Sequence, residues 1–370
     1  MTDRLLLPMR FANGTVAPNR VWVAPMTNKQ SHEDGRLSDA ELIWLERRAR
    51  GGFGVIESCA THVTESGQGW PGQWGIYSDL HTPGWRRAAE RMQSHGSMLF
   101  AQLFHGGERA HRAQGRAIVS CVSSGTPGRD DEVRQLTPAQ IEALIEAFAD
   151  AACRAADAGL DGVELHGAHG YLLCQFLRAD LNTRTDGWGG DLPGRARLLR
   201  RVMQTIRQQV PASFVVGVRL SAENGTFLTG LDLDESLQTA QWLCDDGADF
   251  IHVSLWDAHL NCSKRADVHP ARVFRDALPE AVPVITAGQI WTRAHAHQQL
   301  DHGADAVALG RAAITTPNWP QQVVRDGKEP LMPPVSAQQL RDRDLSETFV
   351  TYMKRWPGFV HTDDGGRPAK

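Results

Sequence analysis

The chain has few cysteines, and they are not spaced as a set of metal ligands. The six lie at positions 59, 121, 153, 174, 244 and 262 of 370 residues, and no two form a Cys-x-x-Cys pair. This spacing argues against an iron–sulfur cluster. We expect reduced thiols in a cytoplasmic protein.

Long apolar runs and a large net charge are also missing. No apolar stretch approaches the roughly 20 residues of a membrane span, and the run in MTDRLLLPMRF is too short for a signal peptide. The formal net charge is only −4, which gives no basic surface for nucleic acid or for anionic lipid. We therefore expect neither a nucleic-acid nor a membrane partner.

Short β-branched runs recur along the chain, and a helical stretch follows each of them. Asn13-Gly14 between short apolar runs predicts a hairpin ahead of this series. Apolar strands that alternate with helices indicate a parallel sheet buried on both faces, either an open doubly wound sheet or a barrel. The predicted strands are 21–25, 54–58, 98–103, 162–166, 214–220, 250–254, 284–287 and 306–310.

The count of eight favours closure into a (β/α)8 TIM barrel, an α/β fold. We expect one domain over 1–370, with the barrel core at about 20–325 and a C-terminal extension, because such barrels often run this long as one domain. Ser38 with Glu41, and Thr137-Pro138 with Gln140, predict capped helix starts. Further helices are predicted at 85–94, 195–209, 234–245, 272–278 and 292–301.

Glycines end the last two predicted strands, at the edge where barrel enzymes place their active sites. Gly288 follows strand seven, and Gly310 with Arg311 follows strand eight. Glycines let backbone N–H groups approach an anion, and an arginine adds charge-assisted hydrogen bonds. The segment predicts a phosphate site, unless these glycines only end their strands.

His166, His169 and Tyr171 cluster after the fourth strand. The histidines could be metal ligands, although Arg311 at another strand end would repel a divalent cation. They could be structural. They could also be two N–H donors aimed at one oxygen, with the phenol nearby as an acid.

These segments together resemble the Old Yellow Enzyme family. The most specific is HGAHGYLLCQFLRADLNTRTDGWGG at 166–190, joined by APMT at 24–27, GIYSD at 75–79, AQLFHGG at 101–107 and VALGR at 307–311. The match covers about 5–320. The resemblance implies noncovalent FMN, NADPH or NADH as reductant, and ping-pong reduction of the C=C bond in small activated alkenes such as enones and nitroalkenes. It leaves homo-oligomerisation open.

The resemblance also assigns the cofactor contacts. The backbone of the first strand end would line the isoalloxazine, two side chains would touch its edge, an arginine would face N1 and O2, and the last strand ends would hold the phosphate. In that order the residues are Ala24, Pro25, Met26 and Thr27; Ser58 and Gln102; Arg219; and Gly288, Gly310 and Arg311.

On the substrate side, the resemblance implies that His166 and His169 hold the activating oxygen and that Tyr171 protonates the α-carbon. Thr27 replaces the cysteine of one subgroup, and Lys29 replaces that subgroup's aromatic substrate contact. Arg355 weakly resembles an arginine that some relatives insert from a neighbouring subunit, a role that stays open.

Three alternatives remain at this stage. A larger dienoyl-CoA reductase or amine dehydrogenase on the same barrel would carry a cysteine cluster that this sequence lacks. A metal-dependent barrel hydrolase would show bound metal on analysis. A non-catalytic flavin-binding protein would have no need of the three residues His166, His169 and Tyr171.

Overall fold

Eight parallel strands close into a barrel in the computed structural model, which describes residues 2–113, 116–126, 132–225 and 228–361. The strands are β1 Met9–Arg10, β2 Val16–Ala17, β3 Val21–Val23, β4 Val55–His62, β5 Met98–Phe104, β6 Ile118–Ser120, β7 Val133–Gln135, β8 Gly162–Gly167, β9 Val215–Ser221, β10 Phe250–Ser254, β11 Val284–Ala287 and β12 Ala306–Leu309. The barrel order is β3-β4-β5-β8-β9-β10-β11-β12, and β12 pairs back onto β3. The predicted (β/α)8 barrel is confirmed, and each predicted strand is present.

Helices follow the barrel strands and cover the outside of the sheet. They are α1 Asp39–Arg50, α2 Thr82–Ser94, α3 Pro138–Asp157, α4 Leu172–Leu177, α5 Leu192–Gln209, α6 Leu233–Asp245, α7 Pro270–Ala277, α8 Arg293–Asp301, α9 Arg311–Thr315, α10 Ala337–Arg341 and α11 Glu347–Met353. Short 3-10 turns occur at Arg4–Leu6, Glu65–Gly67, Asp79–His81 and Gly107–Arg109, with a π-helical turn at Pro320–Arg325. No helix of the described residues is long and apolar enough to cross a membrane.

The predicted helix caps hold with one difference. Thr137 and Gln140 form the full reciprocal box at the start of α3. Ser38 caps α1 by accepting from the N–H of Glu41, but the Glu41 carboxylate does not return the bond. It accepts instead from Asn28 and Ser31, so only half of the predicted capping box forms.

The predicted hairpin closes the amino end of the barrel. Gly14 takes a left-handed φ of 90° at the turn between β1 and β2. Phe11 then packs on three inward rings, with centroids 5.8 Å from Trp22, 5.7 Å from Phe100 and 5.8 Å from Phe250. Because this aromatic plug fills one end, the barrel can open to a ligand only at its carboxyl end.

Alternate residues of each barrel strand point inward, since side chains alternate along a strand. Above the aromatic plug the inward positions become polar and fully buried. This layer comprises Glu57, Gln102, Glu164, Arg219 and His252, contributed by β4, β5, β8, β9 and β10. Polar groups placed deep in a barrel require partners, and they lie directly beneath the open end.

Candidate active site

A cavity of about 230 Å³ opens at the carboxyl ends of the barrel strands. Eight of the residues predicted to form the site line it. They are Ala24, Pro25 and Met26 after β3, His169 after β8, Arg219 on β9, Gly288 after β11, and Gly310 and Arg311 after β12. These eight residues come from five strands, whose carboxyl ends meet at one edge of the barrel.

The remaining predicted site residues lie around this cavity without lining it. The ring centroid of His166 lies 4.9 Å from that of His169 and 5.1 Å from that of Tyr171. Thr27 contacts the side chain of Tyr352. Ser58 and Gln102 are buried below: Ser58 Oγ bonds to the carbonyl of its neighbour Cys59 and accepts from the Gln102 N–H.

Strand register brings the polar groups together. Arg219 on β9 pairs with His166 on β8 and with His252 on β10. Gln102 on β5 pairs with Glu164 on β8, and its Nε2 donates to Glu164 Oε1 over 2.6 Å. The pairing register of the strands therefore places these side chains next to one another, without any contribution from a loop.

Arg219 lines the cavity with one hydrogen-bond donor unpaired among the described residues. It is 7% exposed, and its Nε has no hydrogen-bond partner among the described residues. A buried donor without a partner is costly. An anionic ring edge placed in the cavity would satisfy it, so the residue fits the pyrimidine end of a flavin.

The opposite side of the cavity has the features of a phosphate site. Gly288 has φ 144°, and a Cβ there would lie 2.5 Å from the carbonyl oxygen of Leu255. Gly310 precedes α9, whose first N–H groups have no partner inside the helix. The exposed Arg311 guanidinium lies 5.8 Å from the Trp291 ring centroid. Backbone N–H groups and a cation fit a phosphate.

A tight turn after β8 carries the histidines and the tyrosine. His169 and Gly170 have left-handed φ values of 60° and 72°. Three bonds hold the turn: Ser221 Oγ accepts from the His169 N–H, Gln175 Nε2 donates to the Gly170 carbonyl, and Arg109 donates to the His169 carbonyl. A strained non-glycine residue that its surroundings hold in place is typical of functional sites.

The pKa values of both histidines are lowered, which favours neutral rings at neutral pH. Burial lowers the pKa of His166 well below its usual value, and the positive charge of Arg219 lowers it further. His169 faces the open cavity and is exposed there, yet the surrounding protein, and next Arg219, also lowers its pKa well below the usual range. His166 Nδ1 accepts from the Ala168 N–H, which leaves the Nε2 proton free to be donated.

Two residues near the site were missed by the sequence analysis. Arg109 stacks over Tyr171, with Cζ 4.6 Å from the ring centroid. The ring centroid of Tyr352 on α11 lies 5.7 Å from Lys29 Nζ and 5.9 Å from Arg355 Cζ of the same chain. Arg109 could not be predicted because a single arginine in a loop belongs to no sequence pattern. Tyr352 could not be predicted because it lies far along the chain from every strand end.

Comparisons with known proteins agree on one family. The model of the family described as NADH:flavin oxidoreductase / NADH oxidase matches residues 4–329. The chain is 34% identical over 345 residues to the probable NADH-dependent flavin oxidoreductase YqiG of Bacillus subtilis, covering 88% of each protein. It is 32% identical to the NADH:fumarate oxidoreductase of Klebsiella pneumoniae, but spans only 36% of that longer protein.

A solved structure adds the fold. The old yellow enzyme homologue from Zymomonas mobilis superposes with a TM-score of 0.79 at 28% identity, covering 95% of this chain and 99% of that one.

Proposed function

This chain belongs to the NADH:flavin oxidoreductase / NADH oxidase family, the Old Yellow Enzyme family, and on that premise we propose that it is an ene-reductase with noncovalently bound FMN. As a member it is an NAD(P)H-dependent flavin oxidoreductase. Its substrates would be small alkenes activated by a carbonyl or nitro group. One observation carries the proposal: His169, Arg219, Gly288 and Arg311 converge on one cavity.

The residues present suit each part of the flavin. Arg219 would face N1 and O2, while Gly288, Gly310 and Arg311 would hold the phosphate. The 24–27 segment would lie along the ring, with Ser58 and Gln102 near its edge. FMN bound there would supply the hydride chemistry between NAD(P)H and the β-carbon of the alkene.

Protein groups would handle the charge and the proton. Hydride addition to an activated alkene places negative charge on the activating oxygen. His166 and His169 would act as neutral donors to this oxygen, with His169 Nε2 exchanging its present contact with Ser254 Oγ at 2.6 Å for the substrate oxygen. The Tyr171 hydroxyl, on the same turn, would donate a proton to the α-carbon. If NAD(P)H and the alkene both bind in this cavity, NAD(P)H would leave before the alkene enters, which gives ping-pong turnover.

The alternatives fit the site less well. A divalent metal in this cavity would sit between the guanidinium groups of Arg219 and Arg311, which is electrostatically unfavourable. A protein that only bound flavin would not need a proton donor beside two oxygen-binding histidines. We also propose that 1–370 act as one domain, since Phe349 of α11 packs on Trp44 of α1 with centroids 5.4 Å apart.

An absorbance spectrum tests cofactor and reductive half-reaction together. The purified protein should be yellow, the denatured supernatant should contain free FMN, and anaerobic NAD(P)H should bleach the bound flavin. A supernatant with no flavin, or with FAD alone, would defeat the proposal. Bound metal without flavin would instead favour the hydrolase. Removing FMN should also lower the melting temperature, because a ligand of the folded state stabilises it.

A further inference from the structure

The proposed chemistry leaves three buried ionisable residues without a role. Glu57 on β4, Glu164 on β8 and His252 on β10 are at most 1% exposed and lie in the polar layer below the cavity. One ligand atom from each lies within 4.8 Å of the others. Arg219 is the fourth ionisable group of this layer, and its positive charge acts on both carboxyls.

Glu164 has donors for both of its oxygens. Gln102 Nε2 donates to Oε1 over 2.6 Å, and His252 Nδ1 lies 2.7 Å from Oε2. Burial lowers the pKa of His252, so its ring is neutral and Nδ1 carries the proton that it donates here. With two donors and the charge of Arg219, Glu164 can remain ionised although it is buried.

Glu57 has no hydrogen-bond donor in the part of the chain that the structure describes. Neither of its carboxyl oxygens has a hydrogen-bond partner among the described residues. The His252 Nδ1 atom is 3.8 Å from Oε2, and its proton already points to Glu164. An ionised carboxylate offers only acceptors, and burying one unpaired is very costly. Burial, and next the negative charge of Glu164, raise the pKa of Glu57 well above its usual value.

A metal ion does not resolve this arrangement. The ligand types suit a transition metal, but the positive charge of Arg219 acts on the same carboxyls. His252 would also have to give up the hydrogen bond that it donates to Glu164. A proton placed between the carboxyls of Glu57 and Glu164 gives Glu57 one hydrogen bond and removes one of the two buried negative charges, at far lower cost.

We propose that Glu57 and Glu164 share a single proton, so that the pair carries one negative charge, and that this charge helps to set the reduction equilibrium of the flavin through Arg219. The pair are positioning residues, because they act on the flavin through the arginine. One shared negative charge balances Arg219 and leaves the layer neutral. Two negative charges would oppose the anionic charge that reduction places on the flavin. The flavin half of this inference rests on the proposed function.

Single and double amide variants test the charge. If one proton is shared, either carboxyl alone ionises once its partner is an amide. Glu57→Gln and Glu164→Gln should therefore each leave the flavin reduction equilibrium within about threefold of wild type. The double variant removes the charge and should favour reduction by about tenfold or more. A tenfold shift in each single variant would show two charges and overturn the proposal, as would an unshifted double variant.

Infrared spectroscopy on the purified protein tests the proton itself, whether or not the flavin reacts with alkenes. Wild type at neutral pH should show a protonated-carboxyl band that both single variants lose. Glu41→Gln is the matched control: burial also raises the pKa of Glu41, but its oxygens accept from Asn28 and Ser31. The band that both single variants lose should persist in this control, whether or not Glu41 adds a band of its own. A band that survives in Glu164→Gln would mean a lone protonated Glu57, and no band in wild type would mean two carboxylates. Either result overturns the sharing. If one variant fails to fold, the other still decides.

Discussion

The guanidinium of Arg109 lies over the ring of Tyr171, its Cζ 4.6 Å from the ring centroid, and Nη1 donates to the carbonyl oxygen of His169 over 2.5 Å. Arg109 ends the 3-10 turn that follows β5, whereas His169 and Tyr171 lie on the turn after β8. One side chain thus ties two loops together and contacts both the proposed proton donor and the backbone of a proposed oxygen-binding residue.

Arg109→Ala should slow reoxidation of the reduced flavin by an enone about tenfold. The stacked cation and the loop contact both disappear, so Tyr171 loses its fixed orientation. Reduction by NAD(P)H should change little. Arg109→Lys keeps the charge but not the planar stacking, so its rate of reoxidation by an enone should lie between those of wild type and Arg109→Ala. Stopped-flow absorbance follows both half-reactions; equal slowing of both would assign Arg109 to folding of the loops instead.

Arg219→Ala should make bound FMN harder to reduce. The guanidinium favours the anionic reduced flavin, so its loss should give a more negative reduction potential. Arg311→Ala is the matched control at the other end of the cavity: it should weaken FMN binding and leave the potential of the bound flavin unchanged. A redox titration checks this, and an unchanged potential in Arg219→Ala with FMN fully bound would rule out its placement at N1 and O2.

His166→Ala and His169→Ala should each weaken the binding of a substituted phenol by about tenfold or more, the usual value of a hydrogen bond to a charged group. A phenolate places its anionic oxygen where the substrate oxygen would bind. The charge-transfer absorbance over the flavin reports its affinity. His32→Ala, an exposed residue, is the control. Unchanged affinity in both active-site variants would make these histidines structural.

His62 should make the fold sensitive to acid. Burial lowers its pKa to about 4, while an unfolded histidine titrates near 6.5. Between these values the unfolded chain binds more protons, so the free energy of unfolding falls as pH falls from 6.5 to about 4. Over this interval the free energy of unfolding of His62→Gln should fall by roughly 1–3 kcal/mol less than that of the wild type. Urea unfolding at pH 7 and 4.5 with saturating FMN measures it; parallel losses in both proteins would contradict the assignment.

The strands of the barrel could be predicted because each is a short apolar run, and burial on both faces requires that composition. Both ends of β10, Phe250–Ser254, and of β11, Val284–Ala287, lie at the predicted residues. Helix starts were predictable where one residue decides them, as at Thr137 with its box partner. The α4 segment, Leu172–Leu177, is as apolar as a strand and too short to show helical periodicity.

The site was predictable only where the strand order fixes it. Gly288 and Arg311 follow the last two strands, so closure of the barrel brings them together. Ser58 could not be placed in the same way, because a register shift between Glu57 and Ala60 turns the strand around it. Tyr352 depends on how the C-terminal helices pack, and no strand order determines that.

The most direct measurement of the account compares the two half-reactions in Tyr171→Phe, which keeps the ring and removes only the hydroxyl. Hydride transfer from NAD(P)H to the flavin requires no acid, so reduction should stay near the wild-type rate. Reoxidation by an enone requires a proton at the α-carbon and should slow by roughly 10²–10⁴-fold.

In the same variant the rate of reoxidation by oxygen should be unchanged. Reoxidation by a nitroalkene should slow less than reoxidation by an enone, because the nitronate product can leave the site and take a proton from water. Stopped-flow traces of each half-reaction give these rates. Normal reduction with slow enone reoxidation is the result that we predict. Equal slowing of reduction and enone reoxidation would contradict Tyr171 as the proton donor.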